Sequence, residues 1–483
     1  MTSDVRQFET AGDEMHALIS RLFPICRSIT GDGVRETLAI LQEQISLDVH
    51  EVPSGTPVFD WQVPQEWKIR DAYIKDARGT RLVDFAESNL HVVGGSVGLS
   101  ASMRWSELKQ HVHTLPEYPS WIPYRTSFHK ESWGFCMTHE LYQWFEAQAE
   151  ADDDSSEYEV CIDAELFDGS LTYGELFVPG ETDEEVLITA HVCHPSLAND
   201  NLSGIAVATM LAKELAARER RYGYRFVFAP ATIGAITWLS QNRRRLDNIK
   251  HGLILSLLGD AADSTYKKTR HGDAEIDAAV AHVFKHYDAD YRLVDFEPFG
   301  YDERQYASPG IDLSIGCLMR SRNEEYAEYH TSADNLGLVR SEYLDDSLEK
   351  LLAIVNVLEG NQRYVNQKPM CEPRLGPYGL YHGYGCEEEQ AWLQKAVQWV
   401  LNLSDGQHSL LEIAERAGYD FALIRDASDA LLEAGLLKVA TDTMADDVSG
   451  PVATAPAAAA LLHQDESSSL PTAQDNSPFA TEV

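Results

Sequence analysis

Between Val186 and Gly204 the chain reads VLITAHVCHPSLANDNLSG, which gathers His191, Cys193, His194, Asp200 and Asn201 into one loop. Imidazole nitrogen and carboxylate oxygen are ligands of Zn2+, which takes them tetrahedrally and keeps one position for water when it is catalytic. A lone HxxH stretch more often makes a capped turn with surface histidines than a metal site. The reading therefore depends on what the rest of the chain brings to the same place. Cys193 is read as packing beside the site, with a ligand role as the alternative. His194 is left as either a further ligand or a substrate contact, and Pro195 biases its backbone away from the helical region, which suits a turn.

The elements around this loop follow from their patterns. Val186 to Thr189 is an apolar, β-branched run that reads as a buried strand, and SGIAVATMLAKEL after the loop has helical periodicity. The loop thus leaves the carboxyl end of a strand, where open α/β sheets place their sites. Further on come the strand YRFVFAPA, a helix over 234–242, the strand GLILSLLG, and a helix over 275–287. That alternation predicts βαβ units and a mostly parallel sheet flanked by helices, closed by a helix over 344–359. Two more polar clusters, GYDERQYASPG and EYHTSADN, stand at other strand ends.

At 483 residues with 44% apolar residues, the chain is long enough for several domains with ample cores. A net charge of -38 argues against nucleic acid and anionic membranes as partners, because both need a basic face. No apolar run approaches ~20 residues, and the polar, acidic start is unlike a signal peptide. Seven scattered cysteines without CxxC spacing read as free thiols in a reducing cytoplasm.

Four parts are expected. Residues 1–50 and 151–370 make the α/β domain, with two helical patterns over 14–45 whose second helix Thr30 and Asp32 can cap. Residues 51–150 are rich in Pro, Trp and Tyr and read as a small β-rich inserted module. Its Trp61, Trp67, Trp121, Tyr124, Trp133 and Phe135 either line a cleft or form the module's own core. Residues 371–440 show the helix, turn, helix pattern of a winged-helix module whose acidic balance lacks a DNA-binding footprint, so it reads as an interaction or packing module. Residues 441–483 are read as a disordered tail.

Taken with LFPICRSITGDGVRETL, DWQVPQEW, IPYRTSFHKESWGFC and GDAADSTYKKTR, the three clusters resemble the bacterial aminopeptidase-like domain proteins, a branch of the zinc exopeptidase superfamily. That group is common in surface-polysaccharide and natural-product gene clusters, and the resemblance runs over roughly residues 14–440. It implies His191, Asp200 and His330 as ligands of one zinc per chain, with Asn199 or Asn201 orienting the aspartate. Two-metal members carry another aspartate where this chain has Ser256, so a single zinc is expected. A glutamate acting as general base is implied after the proline of FAPATIG, where this chain has Ala231. Either that base has been replaced in this form, or the chain is a natural member that is inactive or uses another base.

The resemblance further implies catalytic roles for Glu303, Arg304 and Tyr306, the last two as oxyanion stabilisers. For Arg304, pairing with a neighbouring acid is the plainer alternative. His194, Asp302, Glu325 and Glu328 are candidates to hold a substrate with a free amine, although each acid could equally be a solvated loop residue. The implied activity is hydrolysis of an aminoacyl or acyl amide in a small molecule or short peptide of a biosynthetic pathway. The alternative is a non-catalytic zinc-containing protein that binds such a compound. A homo-oligomer is left open.

Overall fold

The structure is a computed structural model that describes residues 8–128, 130–380 and 388–440. The tail expected at 441–483 and Cys386 lie outside the described residues. The main sheet has eight strands: β1 (Asp48–Pro53), β2 (Ser170–Val178), β3 (Glu185–His191), β4 (Gly223–Ala229), β5 (Ile249–Leu255), β6 (Ser264–Lys267), β7 (Tyr291–Val294) and β8 (Ile315–Met319). Their order across the sheet is β1-β2-β4-β3-β5-β8-β6-β7. The central four, β4-β3-β5-β8, are parallel, whereas β1, β2 and β6 enter antiparallel. The sheet is therefore mixed, with four of its seven strand pairings parallel: the three in its middle and β6-β7 at one edge.

All seven residues of β3 and all seven of β4 are buried, as strands covered by helices on both faces must be. On one face the helices Ala11–Leu22, Gly204–Ala216, Glu275–Tyr287 and Ser341–Gly360 pack around Leu253, Leu255 and Phe226. On the other, Ile233–Asn242 packs around Leu187, Val227 and Ile254. Each fully buried side chain of this size stabilises the fold by roughly 1.5–3 kcal/mol, so truncating Leu253 to alanine would cost the transfer term and a cavity besides.

The β-rich part is a four-stranded antiparallel sheet ordered Arg81–Asp84, Glu66–Lys75, Glu157–Phe167, Leu99–Arg104. Its long central strand, Glu157–Phe167, lies beyond the boundary expected at 150. That strand alternates apolar and polar residues, which predicts a strand but not which sheet receives it. Trp67 and Phe135 are in this module's core, Trp133 packs against it, and Tyr124 is not part of it. The expected Thr30 and Asp32 caps are not made: Gly31 is the N-cap of Asp32–Gln42, and Thr30 instead bonds Gln65 and Trp67 across the module junction.

The winged-helix part begins earlier than 371, because Arg363–Asn366 is the middle strand between Asp405–Ser409 and Leu437–Val439. Ser409 caps Leu410–Ala417 with Glu412 in a capping box, Gly418 ends that helix at φ +69°, and Asp420 caps Phe421–Glu433. Among the described residues no helix is long and apolar enough to cross a membrane.

Candidate metal centre

The end of β3 delivers His191 into the middle of the molecule. The loop that follows carries Cys193 and His194, both buried, and the turn Ala198–Ser203 carries Asp200 with non-helical φ -106° and ψ 86°. This turn is held from below. Asp334 accepts the backbone amides of Asn199 at 2.6 Å and Asp200 at 2.9 Å. Asn199 takes the Gly259 amide at 2.9 Å and gives its own amide to Asp260, while Asn201 donates to the Leu255 carbonyl at 2.9 Å. Neither asparagine side chain touches the Asp200 carboxylate, so the expected orienting role is indirect: both tie the turn to the end of β5. Gly204 closes the turn where any Cβ would come within 2.4 Å of Asn201 Oδ1 and the Leu255 carbonyl.

Three imidazoles surround Asp200. Its Oδ1 lies 2.9 Å from His191 Nε2, and its Oδ2 lies 3.0 Å from His330 Nε2 and 3.9 Å from His194 Nε2. His330 reaches in from a left-handed backbone, φ +54°, a conformation that costs a non-glycine residue on the order of 1 kcal/mol. That conformation is braced by the β-rich module: Tyr124 donates its amide to the His330 carbonyl at 2.8 Å, and Ile122 and Ser332 exchange bonds beside it. The Tyr124 ring then stands edge-on to His330 with centroids 5.1 Å apart, roofing the cluster.

Tyr301 completes the enclosure. Its hydroxyl donates to Asp200 Oδ2 at 2.5 Å and lies 3.4 Å from the Tyr329 hydroxyl, while its ring stacks on His191 at 4.1 Å. Arg27, from the SITGDG approach, donates to the His194 carbonyl at 2.8 Å and the Leu22 carbonyl at 2.7 Å, and so fixes the loop from behind. Nothing in residue spacing singled out Tyr301, Asp334 or Arg27. The signal available was that each lies inside one of the polar motifs.

Burial works against the Asp200 carboxylate, but the histidines around it hold it well below the usual carboxylate range. Burial keeps His194 well below the ordinary histidine value, hence neutral, against the pull of Asp200. Burial, with Glu303 adding to it, pushes Asp302 up to about 8, and burial likewise pushes Cys193 up to about 12. Cys193 is thus a buried thiol, 3.3 Å from His194 Nδ1.

These donors fit a divalent cation. His191 Nδ1 is buried without a hydrogen-bond partner, and His330 Nε2 is also unpartnered, its 3.0 Å approach to Asp200 lacking hydrogen-bond alignment. Ligand atoms of His191, His194 and Asp200 lie within 4.8 Å of one another. Imidazoles about an ionised carboxylate are the nitrogen and oxygen set that zinc takes. Ser256 is buried with its hydroxyl unpartnered at the end of β5 and offers no carboxylate for a second ion.

Of the other predicted residues, Ala231 lies beside the cluster, its carbonyl 3.8 Å from Cys193 Sγ. Asp302 is buried with Oδ1 unpartnered. Glu328 is half-buried and makes no ion pair among the described residues. Glu303, Tyr306 and Glu325 are placed differently from expectation. Glu303 is buried in an ion pair with Lys267 and accepts the Tyr301 amide at 3.1 Å, so it supports the loop. Gly300 makes room for that pair, at φ +124°. Tyr306 is wholly buried, its hydroxyl 3.5 Å from Thr189 within β3, whereas Tyr301, Tyr124 and Tyr329 are tyrosines that meet the histidines. Arg304 is half-buried, and its charge works to lower the Asp302 pKa against burial. Glu325 is exposed and paired with Arg322 at 2.6 Å, on the outside of the loop.

Comparison with known proteins finds two families along the chain. Residues 16–361 match a family described as a domain of unknown function, DUF4910, and residues 362–439 match a winged helix-turn-helix family. A Clostridium acetobutylicum protein with the provisional name "polysaccharide biosynthesis protein with aminopeptidase-like domain" is 48% identical over 435 residues, covering 90% of this chain and 98% of that protein. A crystal structure provisionally described as a peptidase from the same organism superposes with a TM-score of 0.82 at 48% identity, over 89% of this chain and 96% of that one. A zinc aminopeptidase from Bacillus subtilis shares the fold at 13% identity, with a TM-score of 0.51 over 73% of this chain and 96% of its own.

Proposed function

The chain belongs to the DUF4910 family and carries an aminopeptidase-like domain ahead of a winged helix, and from that premise we propose that it holds one zinc ion and is built to hydrolyse an amide bond. The observation that carries this reading is the ionised Asp200 enclosed by the Nε2 atoms of His191, His330 and His194, two of these histidines having unpartnered ring nitrogens. His191, Asp200 and His330 would hold the metal, with His194 as a fourth ligand or a contact to substrate. Bound zinc supplies Lewis acidity, polarising a carbonyl and making water nucleophilic near neutral pH.

The chain's own groups divide the remaining work. Tyr301 and Arg27 hold the aspartate and the His194 loop from opposite sides. His330, with its side chain 29% exposed, is the open side of an otherwise buried cluster and the side from which a substrate arrives. Asp302 and Glu328 would receive a free amine: a buried carboxyl near a pKa of 8, that of Asp302, ionises readily once a cation lies against it. The reacting compound is then an aminoacyl or acyl amide of a small molecule or short peptide. An amine carried on a sugar is one such compound, in keeping with the name of the clostridial relative.

Position 231 decides how far the reaction proceeds. A methyl group cannot take a proton from water or deliver one to a leaving amine, a contribution typically worth about 10² to 10⁴ in rate. The second reading, a zinc-containing protein that binds such an amide without cleaving it, is favoured by this alanine. The two separate on the Ala231→Glu variant, assayed against a panel of aminoacyl amides. Hydrolysis appearing only in that variant supports a hydrolase lacking its base. No hydrolysis in either form, with zinc present in both, supports the binding protein.

A further inference from the structure

A cavity of about 370 Å³ opens on the flank of the aminopeptidase-like domain, away from the histidines. Its floor is Ile236 and Leu239, both buried on the Ile233–Asn242 helix. Its walls are Phe59 and Trp61, at the turn of the hairpin formed by Pro57–Val58 and Trp61–Gln62. These two rings stay 50% and 49% exposed although burying them would be favourable. Phe59 is also held at φ +56°, a region that bulky side chains avoid, and the Arg243 guanidinium stands over its ring with 5.9 Å to the centroid. The turn therefore keeps both aromatic side chains half exposed at the expense of local backbone comfort.

The rim is polar and balanced. Asp60 and Arg243 bring one charge of each sign, and Gln305 and Ser308 bring neutral donors and acceptors. A purely apolar occupant would leave all four without hydrogen bonds, and an ionic one would meet repulsion from one of the two charges. A pyranose ring satisfies both features at once. One of its faces is a sheet of C–H bonds that stacks on an aromatic ring, and its edge is a row of hydroxyls that give and accept hydrogen bonds. We infer that this cavity is a binding site for an uncharged saccharide, with one sugar ring against Trp61 and Phe59 and its hydroxyls on Asp60, Arg243, Gln305 and Ser308. The site begins one turn into the helix that follows residue 231, so it accompanies the metal centre on the same domain without sharing its residues. It does not depend on any hydrolysis.

The test uses the full chain labelled with 5-fluorotryptophan, with the Trp61 resonance assigned from the Trp61→Phe variant. It is titrated with neutral mono- to tetrasaccharides of glucose, galactose, mannose and N-acetylglucosamine and followed by fluorine NMR. We expect at least one saccharide to shift the Trp61 resonance saturably. Phe59→Ala should weaken that binding by about tenfold, the loss of one stacking surface. Gln305→Ala, which leaves both rings in place, is the second variant and should also weaken it. A panel in which nothing moves the Trp61 resonance overturns the inference, as does binding that survives unchanged in both variants. Saturable binding of the apolar dye 1-anilinonaphthalene-8-sulfonate that no saccharide displaces overturns it as well, and marks the turn as an apolar docking surface.

Discussion

Two clusters of histidine and carboxylate have nearly the same composition and opposite characters. One is His191, His194 and Asp200, joined by His330; the other is His282, His286 and Glu415, where the Glu275–Tyr287 helix meets the winged helix. In the second, His282 Nε2 accepts the Phe421 amide at 2.9 Å and Nδ1 gives its proton to Glu415 at 2.5 Å. Lys285 adds a further bond to the same carboxylate at 2.9 Å. Both nitrogens of the buried histidine are thus used, and no lone pair remains for an ion. In the first, His191 Nδ1 and His330 Nε2 have nothing to bond while Asp200 stays ionised at full burial. Spacing alone does not distinguish a metal centre from a structural clasp. Unspent hydrogen-bonding capacity does.

The largest effect expected from this contrast is on metal content. His191→Ala or His330→Ala should abolish stoichiometric zinc, measured by elemental analysis, whereas His286→Ala should leave it untouched; zinc retained in either of the first two variants breaks the assignment. Next in size is the gain from restoring a carboxylate: Ala231→Glu should raise amide hydrolysis by about 10² to 10⁴ over the parent, read as initial rates. A smaller change is expected at Tyr301. Tyr301→Phe removes the hydroxyl on Asp200 Oδ2 and should weaken zinc affinity by about 10- to 100-fold in a chelator competition, without loss of fold. An unchanged affinity would show that the tyrosine packs on His191 and does nothing for the aspartate.

The clasp gives the smallest and most pH-dependent effect. Burial holds His282 below the ordinary histidine value, with Glu415 opposing, so the folded protein keeps it neutral. The unfolded chain takes up that proton near ~6.5 while the native one resists, so its contribution is complete above ~6.5 and is lost as pH falls below it. Thermal melts at stepped pH should therefore show a steeper acid-side decline for the parent than for His282→Gln. Parallel curves would mean that the histidine is not titrating with folding.

Much of the centre was legible through the resemblance, whose motifs imply His191, Asp200 and His330, and the structure brings these three side chains together. Tyr301 was not, because its bond to Asp200 spans 101 residues and depends on how two loops meet. Glu325 and Glu328 lie three residues apart in one acidic run, yet only the packed structure shows the first paired outward with Arg322 and the second half-buried. The fold followed the same rule. Buried apolar strands announced the central sheet, while the alternating strand Glu157–Phe167 could have joined either sheet and is claimed by the β-rich module through its pairing with Glu66–Lys75. The Phe421–Glu433 helix, which the pattern alone would offer to a partner, begins against the Glu275–Tyr287 helix through the His282 bond.

The central claim is that the His191–Asp200–His330 cluster holds zinc through nitrogen and oxygen alone. X-ray absorption at the zinc edge of the purified full chain tests it most directly. The expected result is about one zinc per chain, surrounded by light scatterers at ~2.0–2.2 Å with the signature of imidazole rings and no sulfur near ~2.3 Å. Zinc that is absent after purification in zinc-supplemented buffer, or that shows a sulfur neighbour attributable to Cys193, would contradict it.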